Sequence, residues 1–109
     1  MQRGAERSAS CWSPSRACCT GSPDSVTFDE AAFAEPFCGA RNALVERCPV
    51  TPGDIAVIQR VGAIGSLALQ IAGLQGAGTR VILGTAVDGH RLALASAAGA
   101  DHVLDVMGR

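Results

Sequence analysis

The chain has 109 residues, a hydrophobic fraction of 48% and a formal net charge of −1 at pH 7, which allows one domain with a modest core. Its nine cationic residues are all arginines, scattered along the chain, so there is no basic run of the kind that holds nucleic acid. The longest apolar stretch, residues 63–77, is interrupted by Ser66, Gln70 and Gln75 and is too short to cross a membrane.

Residues 1–22 carry Arg3, Arg7 and Arg16 but no apolar run, which excludes a secretory signal. They are rich in Ser, Arg, Cys and Gly without periodicity, and residues 1–23 are expected to form a disordered leader. The five cysteines, Cys11, Cys18, Cys19, Cys38 and Cys48, show no C-x-x-C spacing. Isolated thiols in a reducing cytoplasm account for them better than a structural zinc site.

Order is expected from Asp24. Thr27-Phe28-Asp29-Glu30 fits a capping box, with the Thr27 hydroxyl and the Glu30 carboxylate each serving a backbone amide at the helix start. That helix should reach Ala34. Pro36 then breaks it and opens a second helix at its first position, with Phe37, Ala40, Leu44 and Val45 on one face, ending near Arg47. Thr51-Pro52-Gly53-Asp54 reads as a turn, because proline sets φ and glycine accepts a positive one.

Ile55-Ala56-Val57-Ile58 follows as a continuously apolar strand, the pattern of a parallel strand covered on both faces. Ile64, Leu67, Ala68, Ile71 and Leu74 recur at helical spacing, and Gly76 and Gly78 stop that helix. Val81-Ile82-Leu83 is the second strand. Asp88 can cap a helix carrying Leu92, Leu94 and Ala95, Gly99 ends it, and His102-Val103-Leu104-Asp105-Val106 is the third strand. Strands alternating with helices of this length imply right-handed crossovers.

Between the first strand and its helix stands Val61-Gly62-Ala63-Ile64-Gly65. A helix N-terminus presents unpaired amides and the positive end of the helix dipole, which suits a phosphate. Gly62 and Gly65 match the second and third glycines of G-x-G-x-x-G, and Arg60 occupies the first position. A positive φ there would cost an arginine roughly 1–2 kcal/mol; otherwise the turn takes a different path. Alone, the two glycines also fit a tight helix–strand turn that holds no ligand.

The segments "DSVTFDEAAFAEP", "VTPGD", "VGAIGSLALQIAGLQGA" and "RLALASAAGADHVLDV" together resemble the medium-chain, zinc-type alcohol dehydrogenases, especially the sorbitol and threonine dehydrogenase branch. The resemblance covers residues 24–106. It implies a Rossmann cofactor domain, NAD or NADP as cofactor and, in the complete enzyme, a zinc ion that polarises an alcohol oxygen for hydride transfer. Carried over by position, Gly62, Ala63, Ile64 and Gly65 are the pyrophosphate turn. Gly84 and Thr85 stand where the family usually places an acid for the adenosine ribose, so a 2′-phosphate is not repelled there and NADP is admissible. Arg91 falls where a cation often stands near that ribose, or is an exposed helix charge; Asp88 can also turn toward the ribose. Glu35 resembles the glutamate near the catalytic zinc, or is a helix-end carboxylate before proline. His90 and His102 fall in no catalytic motif of the family.

The family's cysteine and Gly-His-Glu zinc motif has no counterpart here, and zinc is not expected to bind this chain alone. The expected fold is α/β: a partial Rossmann fold with a three-stranded parallel sheet, two crossover helices and an N-terminal helical segment. The expected organisation is a leader (1–23), a helical linker segment (24–53) and the N-terminal half of a dinucleotide-binding domain (54–109). Both crossover helices should fall on one sheet face, leaving the first strand as an exposed edge and the other face bare unless the helix at residues 36–47 covers it. The expected function is that of a fragment of a zinc-dependent, NAD(P)-linked alcohol or polyol dehydrogenase, cytoplasmic and inactive alone. The alternatives are a nucleotide-binding or edge-pairing module, partnered by a dinucleotide or another chain but not by nucleic acid or membrane, and a remnant of an interrupted reading frame.

Overall fold

The structure is a computed structural model and describes residues 21–107. Cys11, Cys18 and Cys19 and nearly all of the expected leader lie outside the described residues. Two compact units divide between Ala34 and Glu35.

In the first unit, helix α1 spans Phe28–Ala32. Its start is the expected capping box: the Glu30 amide donates to the Thr27 hydroxyl at 3.2 Å, and the Thr27 amide donates to the Glu30 carboxylate at 3.0 Å. The helix ends at Ala32, short of Ala34, with Phe33 as its C-cap.

Helix α2 spans Ala34–Arg41. Pro36 is therefore its third residue rather than its first. First-turn amides have no intrahelical acceptor, so a proline is tolerated anywhere in that turn. The helix does not continue as α to Arg47; Asn42–Arg47 forms a π turn, in which the Cys48 amide donates to the Ala43 carbonyl at 2.9 Å. Ala40 is buried, Leu44 and Val45 are half-buried, and Phe37 is exposed.

The turn at Thr51-Pro52-Gly53-Asp54 forms as read. Gly53 takes φ 91°, and the Asp54 amide donates to the Thr51 carbonyl at 3.1 Å. The Asp54 carboxylate accepts from both the amide and the hydroxyl of Thr51, at 2.8 Å each. The amide bond first and the hydroxyl second hold its pKa below the ordinary aspartate value, against a smaller opposing effect of desolvation.

Three parallel strands follow, in the order β1-β2-β3: β1 at Ile55–Gln59, β2 at Thr79–Gly84 and β3 at His102–Asp105. Helix α3 at Ala63–Leu74 connects the first pair and helix α4 at Gly89–Ala97 the second. The register sets Ile58 beside Ile82 and Ile82 beside Val103. Ile58 and Ile82 join Val61, Leu69, Leu92 and Ala95 in the core, with Val103 and Ala68 packed against them.

Both helices end in the same way. After α3, Gly76 takes φ 89°, its amide donates to the Gly73 carbonyl, and the Ala77 amide donates to the Ala72 carbonyl. After α4, Gly99 takes φ 102°, and the amides of Gly99 and Ala100 donate to Ser96 and Ala95. These are paired Schellman closures, and each places glycine where a left-handed φ is required. Arg80 of β2 lies against Gly73 and Gly99 near both helix C-termini, where the helix dipoles favour a cation.

The buried face of α3 matches its periodicity only in part, at Ile71 and at Ala68, which packs against the core. Leu69, Ile71 and Ala72 are buried, whereas Ile64 is exposed and Leu74 is 86% exposed. The helix is apolar around most of its circumference, so spacing alone could not choose a face. The choice is made at Gly65, where any side chain would collide with the Arg60 carbonyl. That contact turns residues 65, 68, 69 and 72 toward the sheet.

β1 is apolar from Ile55 to Ile58 but covered on one face only. Ile58 points into the core, while Ile55 and Val57 are 70% and 57% exposed. The π turn packs against α3, and Leu44 lines a cleft together with Ile55, Ala56, Val57 and Ile58 of β1, so the cover expected from residues 36–47 is at most partial.

Candidate functional site

β1 ends at Gln59, and the next residue, Arg60, has φ 73°. It is the one non-glycine residue with positive φ among the described residues. The fingerprint's first position therefore does adopt the left-handed conformation that glycine would take without cost. The Arg60 amide still extends the sheet by donating to the Leu83 carbonyl at 2.9 Å. Val61 then turns into the core, and Gly62 is the N-cap of α3 in an extended conformation.

Gly62 has no side chain to cap the helix, and none is supplied from elsewhere. A Cβ placed on Gly62 would meet nothing within 4 Å. The α3 N-terminus thus faces open space with its first-turn amides unclaimed by any side-chain cap. Gly62 and Gly65 are separable in role: one leaves room outside the turn, the other allows helix and strand to touch.

Beside this turn lies a cleft of about 330 Å³ lined by Gln59, Arg60, Leu83, Gly84, Thr85, Asp88 and Val106. All seven stand at or just beyond the carboxyl ends of the three strands, the end at which open parallel sheets bind ligands. Of the residues expected from sequence, the cleft brings together Gly84 and Thr85. Gly62, Ala63, Ile64 and Gly65 follow Arg60 into α3 and do not line it. Gly84 also has a packing role, since a Cβ there would lie 2.7 Å from Leu92 Cδ2 and 3.3 Å from Val61 Cγ1.

Asp88 occupies the N-cap position of α4 as expected, but its carboxylate does not cap the helix. One oxygen accepts from the Thr85 hydroxyl at 3.1 Å, and the other accepts from Arg91 Nη1 at 3.3 Å. Local geometry explains the choice: Ala86–Asp88 is a single 3-10 turn that folds Asp88 back over Thr85. Arg91 is thus an exposed helix charge that is paired with Asp88. Sequence reasoning did not assign Gln59, Arg60 or Val106 to this site. A polar pair at a strand's carboxyl end was the available signal for the first two.

Glu35 stands in the first turn of α2 and is exposed. Among the described residues no three His, Cys, Asp or Glu side chains gather as a metal site would require. Cys38 and Cys48 are free thiols on the surface, and His90 and His102 are exposed. No helix among the described residues is long and apolar enough to cross a membrane.

A parallel sheet in this order, with helical crossovers and a glycine turn after the first strand, is half of a Rossmann fold. No family model matches the chain. It is 36% identical to D-arabitol-phosphate dehydrogenase of Enterococcus avium over 85 residues, which are 78% of this chain and 24% of that protein. It is 34% identical to sorbitol dehydrogenase of Bacillus subtilis over 84 residues, 77% of this chain and 23% of the relative. Among solved structures, an NAD-dependent alcohol dehydrogenase superposes with a TM-score of 0.68 at 29% identity, over 81% of this chain and 25% of the other. The chain is similar to the zinc-type alcohol dehydrogenases, and it spans about a quarter of the length of the curated relatives it matches.

Proposed function

We infer that this chain supplies the adenosine-binding half of the cofactor domain of an NAD(P)-linked, zinc-type alcohol or polyol dehydrogenase. The observation that carries the reading is the cleft at the carboxyl ends of β1 and β2, set beside a helix N-terminus that lacks a side-chain cap. The residues present fit a dinucleotide. Open space outside Gly62 admits a pyrophosphate to the α3 amides, and the cleft between Gln59 and Asp88 admits a ribose. In this reading residues 54–109 are the N-terminal half of the dinucleotide domain and residues 24–53 a helical linker segment.

A bound nicotinamide would accept hydride from a secondary alcohol carbon, the alcohol oxygen being polarised by zinc in the complete enzyme. The part played by this chain is binding. Gly62, Ala63, Ile64 and Gly65 seat the pyrophosphate, while Gly84, Thr85 and Arg91 frame the adenosine end. Glu35 would lie near the zinc only in an enzyme that also holds the zinc motif. With no Gly-His-Glu motif in its 109 residues, the chain alone is expected not to turn over. We place it in the cytoplasm, consistent with its free surface thiols.

The deciding measurement is a thermal melt of the chain alone and with NAD or NADP at millimolar concentration. A cooperative transition that rises with either nucleotide supports the reading, because a ligand that binds only the folded state raises its stability. A transition that moves with neither overturns it, and zinc-dependent alcohol oxidation by the isolated chain would overturn its inactivity.

A second reading, pairing through the sheet edge, is favoured by one observation. β1 is an edge strand with no charged residue between Ile55 and Gln59, and two of its apolar side chains are exposed. Sedimentation over a range of concentrations tests it: a monomer throughout, unaffected by Val57→Lys, removes this reading.

A further inference from the structure

We propose that this chain pairs with a second copy of itself through β1, antiparallel and about a two-fold axis at Val57, to make one continuous sheet in the order β3-β2-β1-β1-β2-β3. The inference rests on the edge-pairing reading above and deepens it, because it commits the edge to one partner and one register.

The backbone groups that β1 offers follow from its bonds to β2. The Asp54 carbonyl accepts from the Gly78 amide at 2.8 Å, and the Arg60 amide donates to the Leu83 carbonyl at 2.9 Å. Between them the register sets Ala56 beside Arg80 and Ile58 beside Ile82. The amide and carbonyl of one strand residue point the same way, and the direction alternates along the strand, so residues 54, 56, 58 and 60 serve β2. Ile55, Val57 and Gln59 therefore direct theirs out of the open edge. In an antiparallel pair every second residue exchanges both bonds with the residue opposite. Val57 opposite Val57, with Ile55 opposite Gln59 on either side, uses every outward position of β1 in both copies.

The charges at the ends of the strand choose this register. A two-fold at Val57 sets Asp54 of one copy opposite Arg60 of the other, at both ends of the ladder. Both residues are exposed. The Asp54 bonds to Thr51 go to Oδ2, which leaves Oδ1 for a partner, and Arg60 takes part in no ion pair among the described residues. In-register parallel pairing would set Asp54 against Asp54 and Arg60 against Arg60, and like charges directly opposite are destabilising. Moving the antiparallel axis to Ala56 or Ile58 would leave an end position unpaired and lose both charge contacts. The chosen register is self-complementary, so the contact closes at two copies.

The test is sedimentation of the 109-residue chain over a wide range of concentration and salt. The native chain should form a reversible dimer that weakens as salt rises. Arg60→Glu turns both end contacts into carboxylate pairs and should weaken association by on the order of tenfold, with high salt now strengthening it. Asp54→Lys should weaken it by a similar factor. Equal amounts of the two variants should restore a dimer of native strength, because each copy then supplies the charge its partner lacks. Circular dichroism establishes that each variant is folded; if Asp54→Lys is not, the opposite salt responses of the native chain and Arg60→Glu carry the test. A dimer that Val57→Lys breaks but Arg60→Glu leaves unchanged keeps edge pairing and overturns this register, as does a mixture of folded variants that stays monomeric. Assembly beyond two copies overturns the two-fold. A native chain that is monomeric throughout overturns the proposal and the edge-pairing reading with it.

Discussion

At Arg60 a backbone requirement and a side-chain choice conflict. The turn after β1 needs φ 73°, and an L-residue with a Cβ pays for that conformation by about 1–2 kcal/mol. Glycine would remove the strain but lose more backbone entropy on folding, about 0.5–1 kcal/mol. Relief exceeds loss, so Arg60→Gly is expected to melt higher than native, and higher than Arg60→Ala by about 1 kcal/mol, since alanine retains the Cβ. Matched thermal or urea denaturation of the three proteins checks this; Arg60→Ala equal to Arg60→Gly would mean that the turn relaxes away from positive φ. Gly65 differs in kind, because its constraint is the Arg60 carbonyl against the helix and not its own φ. One motif therefore contains a conformational position and a packing position.

Among the elements, the turn at residues 51–54 joins local chemistry to pH. Asp54 accepts from the Thr51 amide and hydroxyl, and these bonds favour its ionised form. The folded pKa thus lies below the unfolded value of about 3.9. The contribution to stability is fully present above that unfolded value and is lost as pH falls through the folded one. In Thr51→Val, which keeps the amide but removes the hydroxyl, the Asp54 carboxyl should titrate at higher pH by NMR while remaining below the ordinary value. A midpoint identical to native would show that the hydroxyl plays no part. This turn, the capping box at Thr27 and Glu30, and the two glycine helix stops were all legible in the sequence. Each is specified by side chains within a few residues of one another. The π turn at Asn42–Arg47 was not legible, because nothing local separates its register from a continuing α-helix.

At the scale of the whole molecule, covered and uncovered faces of one sheet separate residues that look alike in sequence. Ile82 is fully buried at the centre of the core, whereas Val57, on the opposite face of the neighbouring strand, is 57% exposed. Ile82→Ala should cost about 2–5 kcal/mol, the usual range for emptying a packed position. Val57→Lys should change stability by no more than about 0.5 kcal/mol, as an exposed substitution does. Denaturation midpoints check both; a large loss from Val57→Lys would mean that this face is buried in solution.

Hydropathy and punctuation along the chain determined the α/β class, the three strands, the two crossover helices and the place of the glycine turn, because periodicity, caps and turn residues act over short distances. The resemblance to the dehydrogenases was likewise carried by contiguous segments. Only the tertiary structure decided which face of α3 is buried, that one face of β1 stays open, and that Asp88 turns to Thr85 and Arg91 instead of capping its helix. Those outcomes depend on contacts between elements: the Gly65 approach to Arg60, the sheet order, and the fold of a 3-10 turn over a strand end. A nearly uniform apolar helix, an apolar strand and an acid with three possible partners carry no sequence signal that ranks their alternatives.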